Sequence, residues 1–355
     1  MNKKMLKNIE WSILVYTILL AIIGLLAIFS ATVNTNYAEF KKQIIWFLIS
    51  MPIVIIVTLI SYEFAAKCSP ILFGGAILLL IVVLFTPEIN GASRWFSIGS
   101  FLFQPTEIAK ICYILFLAYV ITKIQTRGRD EINRIRSLGL IFLIISVPIV
   151  LIALEPDYGN VMLYLIIAII MIFIAGIKAR YLVTALLSVA VLVPVLYFTI
   201  LPTHAKSRID VFLNPGIDPR GKGYNVIQSK LAIGAGQLLG MGLLKGNQTQ
   251  LGYLYPKTTD FIYAVIGEEM GFVGAGTVII LNVFLCVKAI YVAKTAKDTL
   301  GSYIACRNCS NLYLSYGGEY RNGNGNFTDY RNTAFIYKLW GQFAFNQLYC
   351  NWFTA

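Results

Sequence analysis

Apolar residues run through this chain in blocks close to the length of a membrane crossing, separated by short polar breaks. A helix needs about 20 apolar residues to cross about 30 Å of hydrocarbon. Seven blocks approach that length: Trp11 to Ala31, Gln43 to Ile60, Ile71 to Phe85, Glu107 to Ile121, Leu138 to Ala153, Val161 to Gly176 and Leu182 to Leu201. An eighth, Phe261 to Ala293, is longer than one crossing needs, and a ninth begins near Thr299. Backbone groups in lipid must be satisfied within their own segment, so these blocks predict an all-α, polytopic membrane bundle. Lys3, Lys4 and Lys7 precede the first block, whose length suits a retained span better than a cleaved signal peptide.

One connection is long. Residues 202–259 form a loop that is not low-complexity. Val226, Leu231, Ile233, Leu238 and Leu239 follow helical spacing, which predicts a folded segment lying on the membrane surface. No internal repeat is visible, which weakens an inverted-repeat transporter. After Cys306 the apolar run stops, and Asn, Gly and Tyr become frequent. The chain thus divides into a membrane unit, 1–305, and an aberrant tail, 306–355.

Composition agrees with the pattern. Of 355 residues, 58% are hydrophobic and 13% charged, against about half and a quarter in soluble domains. A soluble enzyme, a disordered chain and a fibre are excluded. The net charge of +12 raises nucleic acid as a partner, but the basic residues fall on alternate connections. Lys67, the run Lys123, Arg127, Arg129, Arg134 and Arg136, the pair Lys178 and Arg180, and Lys294 and Lys297 share a side with the N-terminus. The short loops opposite carry little beyond Lys41, Lys42 and Arg94. That asymmetry predicts a cytoplasmic N-terminus and no nucleic-acid role. Cys306 and Cys309 form a lone C-x-x-C without a second pair, and His204 is the sole histidine. Neither a zinc cluster nor a Ser-His-Asp triad can be assembled.

Ionisable residues at membrane depth are costly, so each is a functional candidate. Asn90 to Trp95 is followed by Gln104, Pro105, Glu107 and Lys110; Glu107 and Lys110 share a helical face, as a structural ion pair or as a cation aimed at phosphate. Glu155 to Asn160 makes a tight turn in which Asp157 serves as a cap or does further chemistry. The long loop brings Arg208, Asp210 and the Asp218 to Tyr224 stretch, too weak alone to define an anion cradle. Lys245, Gln248 and Gln250 precede Asp260, which is either a helix cap or a general base, and the two roles are compatible. Glu268 and Glu269, about 12 Å further along a helix, are expected to face the protein interior.

These strings resemble the SEDS family (shape, elongation, division and sporulation). N-G-A-S-R-W, Q-P-T-E-I-A-K, E-P-D-Y-G, R-I-D-V-F-L-N-P, D-P-R-G-K-G-Y-N-V-I-Q-S, G-N-Q-T-Q-L-G-Y-L and T-T-D-F-I-Y-A-V-I-G-E-E-M-G occur in that order over about residues 8 to 305. The last two look more like the rod-shape branch than the division branch. The resemblance implies ten helices and polymerisation of lipid II into peptidoglycan outside a bacterial cytoplasmic membrane. It implies work beside a class B penicillin-binding transpeptidase and elongation-machinery membrane proteins. The family's essential loop aspartate falls on Asp260, its intramembrane lysine on Lys110 and its Arg-Trp on Arg94 and Trp95. Asp260 would be the base. Arg94 and Lys110 would face the leaving pyrophosphate, with Mg or Mn as the only cofactor to consider and no protein cage evident for it. Glu107, Asp157, Arg208, Lys245, Gln248 and Gln250 complete the substrate-binding candidates.

The tail departs from the family, which ends with two more helices. Ser315-Tyr316-Gly317-Gly318 imitates a family motif but comes too early. Read one nucleotide over with suitably chosen codons, the tail can give strings of the missing end, which suggests a frameshift near Cys306 or Arg307. The competing readings are a lipid II transporter and an inactive truncated copy.

Overall fold

The computed structural model describes residues 11–59, 62–87, 93–98, 101–181, 223–254, 257–258, 261–296 and 299–303, with isolated positions between 183 and 221. The tail and most of the expected span Leu182 to Leu201 lie outside the described residues.

Six helices carry the first half: α1 (Trp11–Ala31), α2 (Ala38–Leu59), α3 (Tyr62–Val83), α4 (Pro105–Gln125), α5 (Ile135–Leu154) and α6 (Tyr158–Ile174). Each overlaps its expected apolar block, and α2, α3 and α6 end one or two residues before it does. Helix α3 starts well before Ile71 because Tyr62 to Pro70, which holds Glu63 and Lys67, continues the helix beyond the apolar stretch. Pro105 takes the first helical position of α4, where its missing N–H costs nothing. Pro52, Pro70 and Pro148 lie inside helices, as membrane helices tolerate when neighbours satisfy the freed carbonyls. Four helical stretches, Trp11–Ala31, Glu63–Val83, Ile135–Leu154 and Ile262–Thr295, are long and apolar enough to cross a membrane.

The all-α expectation holds, with one addition. A two-stranded antiparallel ribbon, β1 (Phe96–Ile98) and β2 (Phe101–Phe103), pairs Phe96 with Phe103 and leads directly into α4.

The long loop contains α7 (Tyr224–Ala235) and the single turn α8 (Asn247–Gln250), followed by α9 (Ile262–Thr295). The helical spacing at Val226, Leu231 and Ile233 is thus realised. Ala232 is buried among residues of α1 and α9, while Leu231, Leu238 and Leu239 stay exposed. A further helical turn at 299–303 packs back on the first half through Tyr303, whose hydroxyl donates to Gln125 of α4 at 2.6 Å.

Helix α9 is broken. Gly271 has φ 66° and ψ −165°, a conformation open almost only to glycine. Residues 272–295 alone reach about 36 Å at 1.5 Å per residue, enough for a crossing. The break orphans carbonyls on one side and N–H groups on the other, and the loop satisfies both. Met241 and Gly242 donate N–H groups to the Glu268 and Glu269 carbonyls at 2.9 and 3.0 Å. Phe272 and Val273 donate to the Gln237 and Leu238 carbonyls at 2.8 and 3.1 Å. Gly240, at φ +83°, lies so close that a Cβ there would strike the Glu269 carbonyl.

Two apolar cores result. One gathers α1, Ala232, Leu254 and α9. The other gathers α3 to α6 with Leu300 and Tyr303.

Candidate functional site

Two buried polar clusters form, one on each core. The first lies where the ribbon enters α4 and α5 turns into α6. Asp157 is the N-cap of α6: its Oδ1 accepts from the Asn160 N–H at 3.4 Å, and its Oδ2 from Asn160 Nδ2 at 2.7 Å. It does more than cap. Gln104 Nε2 donates to Oδ2 at 3.0 Å, and Arg94 Nη1 stands 3.8 Å from Oδ1. Arg94, Gln104 and Asp157 are all buried, so this pair sits where screening is weak. Trp95, next to Arg94, is half-buried.

Glu155 shares the turn. It is fully buried, and neither carboxylate oxygen has a hydrogen-bond partner among the described residues. Burial first, then the Asp157 charge, pushes its carboxyl up to about 8, against the pull of Arg94. Near neutral pH Glu155 is therefore predominantly the neutral acid, and Arg94 has one anionic neighbour on this turn.

One and a half turns into α4, Lys110 Nζ donates to Glu107 Oε1 at 3.0 Å. Lys110 is buried and Glu107 is partly exposed. The ion pair expected from the three-residue spacing therefore forms, with its cation inside. The Tyr164 hydroxyl donates to the Thr106 carbonyl at 2.8 Å and fixes this end of α4 against α6.

The second cluster surrounds the break in α9. Glu268 accepts at Oε1 from the Gln248 N–H at 2.7 Å. Its Oε2 accepts from the Thr249 N–H at 3.0 Å and the Thr249 hydroxyl at 2.7 Å. Glu269 accepts at Oε1 from the Ser30 hydroxyl at 2.6 Å and Gln250 Nε2 at 3.2 Å. Both glutamates are buried inside the protein, as expected. Their depth is explained differently from a continuous helix: they close the short half of α9 just before the break. Lys257 donates to the Thr249 carbonyl at 2.8 Å. Burial lowers its ammonium below the usual lysine range, and Glu269 partly opposes that shift.

The sequence-derived residues thus sort into groups. Arg94 and Asp157 come together, Glu107 pairs with Lys110, and Gln248 and Gln250 join Glu268 and Glu269. Lys245 is exposed. Asp260 and Arg208 lie outside the described residues. The cap position of α9 is occupied by Phe261, without a side-chain cap bond. Sequence reasoning passed over Ser30 and Lys257. Ser30 was masked by its place at the end of an apolar span, and Lys257 looks like any loop lysine.

Comparison with known proteins follows the same outline. The family model described as "Cell cycle protein", covering FtsW, RodA and SpoVE, matches residues 10–316. The peptidoglycan glycosyltransferase MrdB of Escherichia coli K12 is 32% identical over 300 residues, covering 84% of this chain and 79% of that protein. The peptidoglycan glycosyltransferase RodA of Treponema pallidum is 29% identical over 377 residues, covering 84% and 85%. A chain from a solved peptidoglycan synthase complex that coordinates polymerisation and crosslinking superposes with a TM-score of 0.77 at 23% identity, covering 96% and 97%. Thermus thermophilus RodA gives 0.66 at 21%, covering 96% of each chain. At those identities the two structures speak for the fold.

Proposed function

The chain belongs to the family of FtsW, RodA and SpoVE, and from that membership we propose that it is a membrane peptidoglycan glycosyltransferase that polymerises lipid II. The observation that carries this reading is 32% identity to a protein of that activity across 84% of the chain. The relatives are named peptidoglycan glycosyltransferases, which favours an enzyme over a lipid II transporter.

In the proposed step Asp260 takes the proton from a sugar hydroxyl of the acceptor. That oxygen forms a bond to the anomeric carbon of the donor. The bond from that carbon to pyrophosphate breaks, and the undecaprenyl pyrophosphate leaves with the electron pair. Fixed charges aimed at the leaving group stabilise such a transition state. Arg94 and Lys110 fit that work because both are buried on one bundle and held in place by carboxylates. Among the described residues no group of three or more His, Cys, Asp or Glu gathers to hold a metal ion.

Alternation of the described helices supports one side of the membrane for Ser30, Arg94, Gln104 and Asp157, and the bond from Gln250 to Ser30 supports the same side for the loop before Asp260. The basic connections on the other side support a cytoplasmic N-terminus and catalysis outside the bacterial cytoplasmic membrane. The likeness to a chain of a synthase complex supports a class B penicillin-binding transpeptidase as partner. The frameshifted tail over 306–355 stays a proposal: the family match runs into its first residues, as far as 316, and leaves 317–355 outside.

The test is glycan polymerisation from labelled lipid II in detergent, with a class B transpeptidase co-purified. The expected outcome is polymer from the parent chain and none from Asp260→Ala. Equal polymer from both would remove Asp260 from the chemistry.

A further inference from the structure

The loop is tied to α9 by a run of side-chain bonds that ends on a lysine. Thr249 is fully buried, and all of its polar groups are engaged. Its N–H and hydroxyl both donate to Glu268, at 3.0 and 2.7 Å. Its carbonyl accepts from Lys257 Nζ at 2.8 Å. Glu268 is itself fixed at the break in α9, where its own carbonyl accepts from Met241. The order is thus Glu268, Thr249, Lys257, and Lys257 stands three positions ahead of Asp260 in the chain.

Three observations make this more than a chance surface contact. Lys257 is half-buried, and a long side chain held in one place gives up rotamer freedom that a solvated lysine keeps. Burial lowers its ammonium and the Glu269 carboxylate opposes that shift, a carboxylate held in turn by Ser30 and Gln250 from two other elements. The intervening turn is closed on itself as well, since the Leu254 N–H donates to the Gln248 carbonyl at 3.3 Å. The described residues on either side of Asp260 in the chain are thus both held, Lys257 on the Thr249 carbonyl and Phe261 at the start of α9.

We propose that Lys257 is a positioning residue for glycosyl transfer, strapping the segment ahead of Asp260 onto Glu268 of the broken helix through Thr249. This rests on the glycosyltransferase reading and adds to it a residue that acts without touching substrate. An arginine can donate to the same carbonyl, whereas methionine has similar length and no donor. Misplacing a reacting group by about 1 Å can cost on the order of 100-fold in rate, and that loss belongs in kcat.

The experiment compares the parent chain, Lys257→Met and Lys257→Arg, each co-purified with a class B transpeptidase, by lipid II polymerisation and by amide hydrogen exchange. Lys257→Met is expected to lower kcat about tenfold or more with KM within about twofold, and Lys257→Arg to recover most of the rate. Amides of residues 250–258 are expected to exchange faster in Lys257→Met, while those of 272–295 are unchanged. A kcat for Lys257→Met within about twofold of the parent would overturn the proposal. So would a loss that only follows the fraction of folded protein, or unchanged exchange at 250–258. The exchange arm reads the strap without turnover. Absence of polymer from the parent chain would count against the glycosyltransferase reading, whereas unchanged exchange would count against the strap.

Discussion

At the scale of single residues, Glu155 makes the most direct prediction. Its carboxyl is held up at about 8 in the folded protein, against an ordinary value of 4.5. The folded state therefore keeps a proton that the unfolded chain has released. Its contribution to stability is full below about pH 4.5 and is lost as pH rises through about 8. Thermal melts in detergent should show the parent chain losing stability over that window, and Glu155→Gln, which cannot ionise, should show a flatter profile. A parent profile that rises across the window would refute the burial account. The residue scale also shows what a linear sequence reveals. The Glu107 and Lys110 pair was legible because three positions on a helix are neighbours. Two carboxylates in the Glu155 turn exceeded what a turn needs, which flagged Asp157. Its partners Arg94 and Gln104 could not be assigned from spacing, because the ribbon and the α5–α6 turn meet only after the helices pack. Ser30 and Glu269 are 239 positions apart, and nothing local marks either as the other's partner.

Among elements, the spans were legible because hydrocarbon thickness sets their length and backbone satisfaction sets their type. The break in α9 was not. Glu269-Met-Gly-Phe-Val-Gly-Ala-Gly reads as a continuous apolar helix, and glycine is ordinary in membrane helices. What breaks the helix is backbone from the distant segment 237–242, whose donors and acceptors replace the missing ladder bonds. Gly271→Ala should therefore be costly. The backbone conformation alone is worth about 1–3 kcal/mol, and the new Cβ would lie 2.6 Å from the Leu238 carbonyl oxygen. Gly276→Ala, with nothing near its Cβ, should melt within about 0.5 kcal/mol of the parent. Similar melts for the two variants would show that the break is not held as described. The ribbon before α4 also escaped the sequence reading, because two three-residue strands are too short for alternation to register.

For the molecule as a whole, the two cores and alternating spans predict where probes can reach. A cysteine at exposed Lys245 should react with an impermeant thiol reagent in intact spheroplasts, and one at exposed Lys178 only after lysis. The reverse pattern would invert the topology and with it the placement of the catalytic loop. The broken helix carries a further consequence, for how this protein can be altered over evolution or by engineering. Surface loops usually absorb insertions and deletions. Between Gln237 and Thr249 the register is counted residue by residue against α9, so adding or removing one residue would shift successive donors off their acceptors. Length variation in this stretch should be far rarer than amino-acid replacement. An epitope tag or fluorescent insert placed there should be rejected, however exposed Leu239 and Lys245 look from outside.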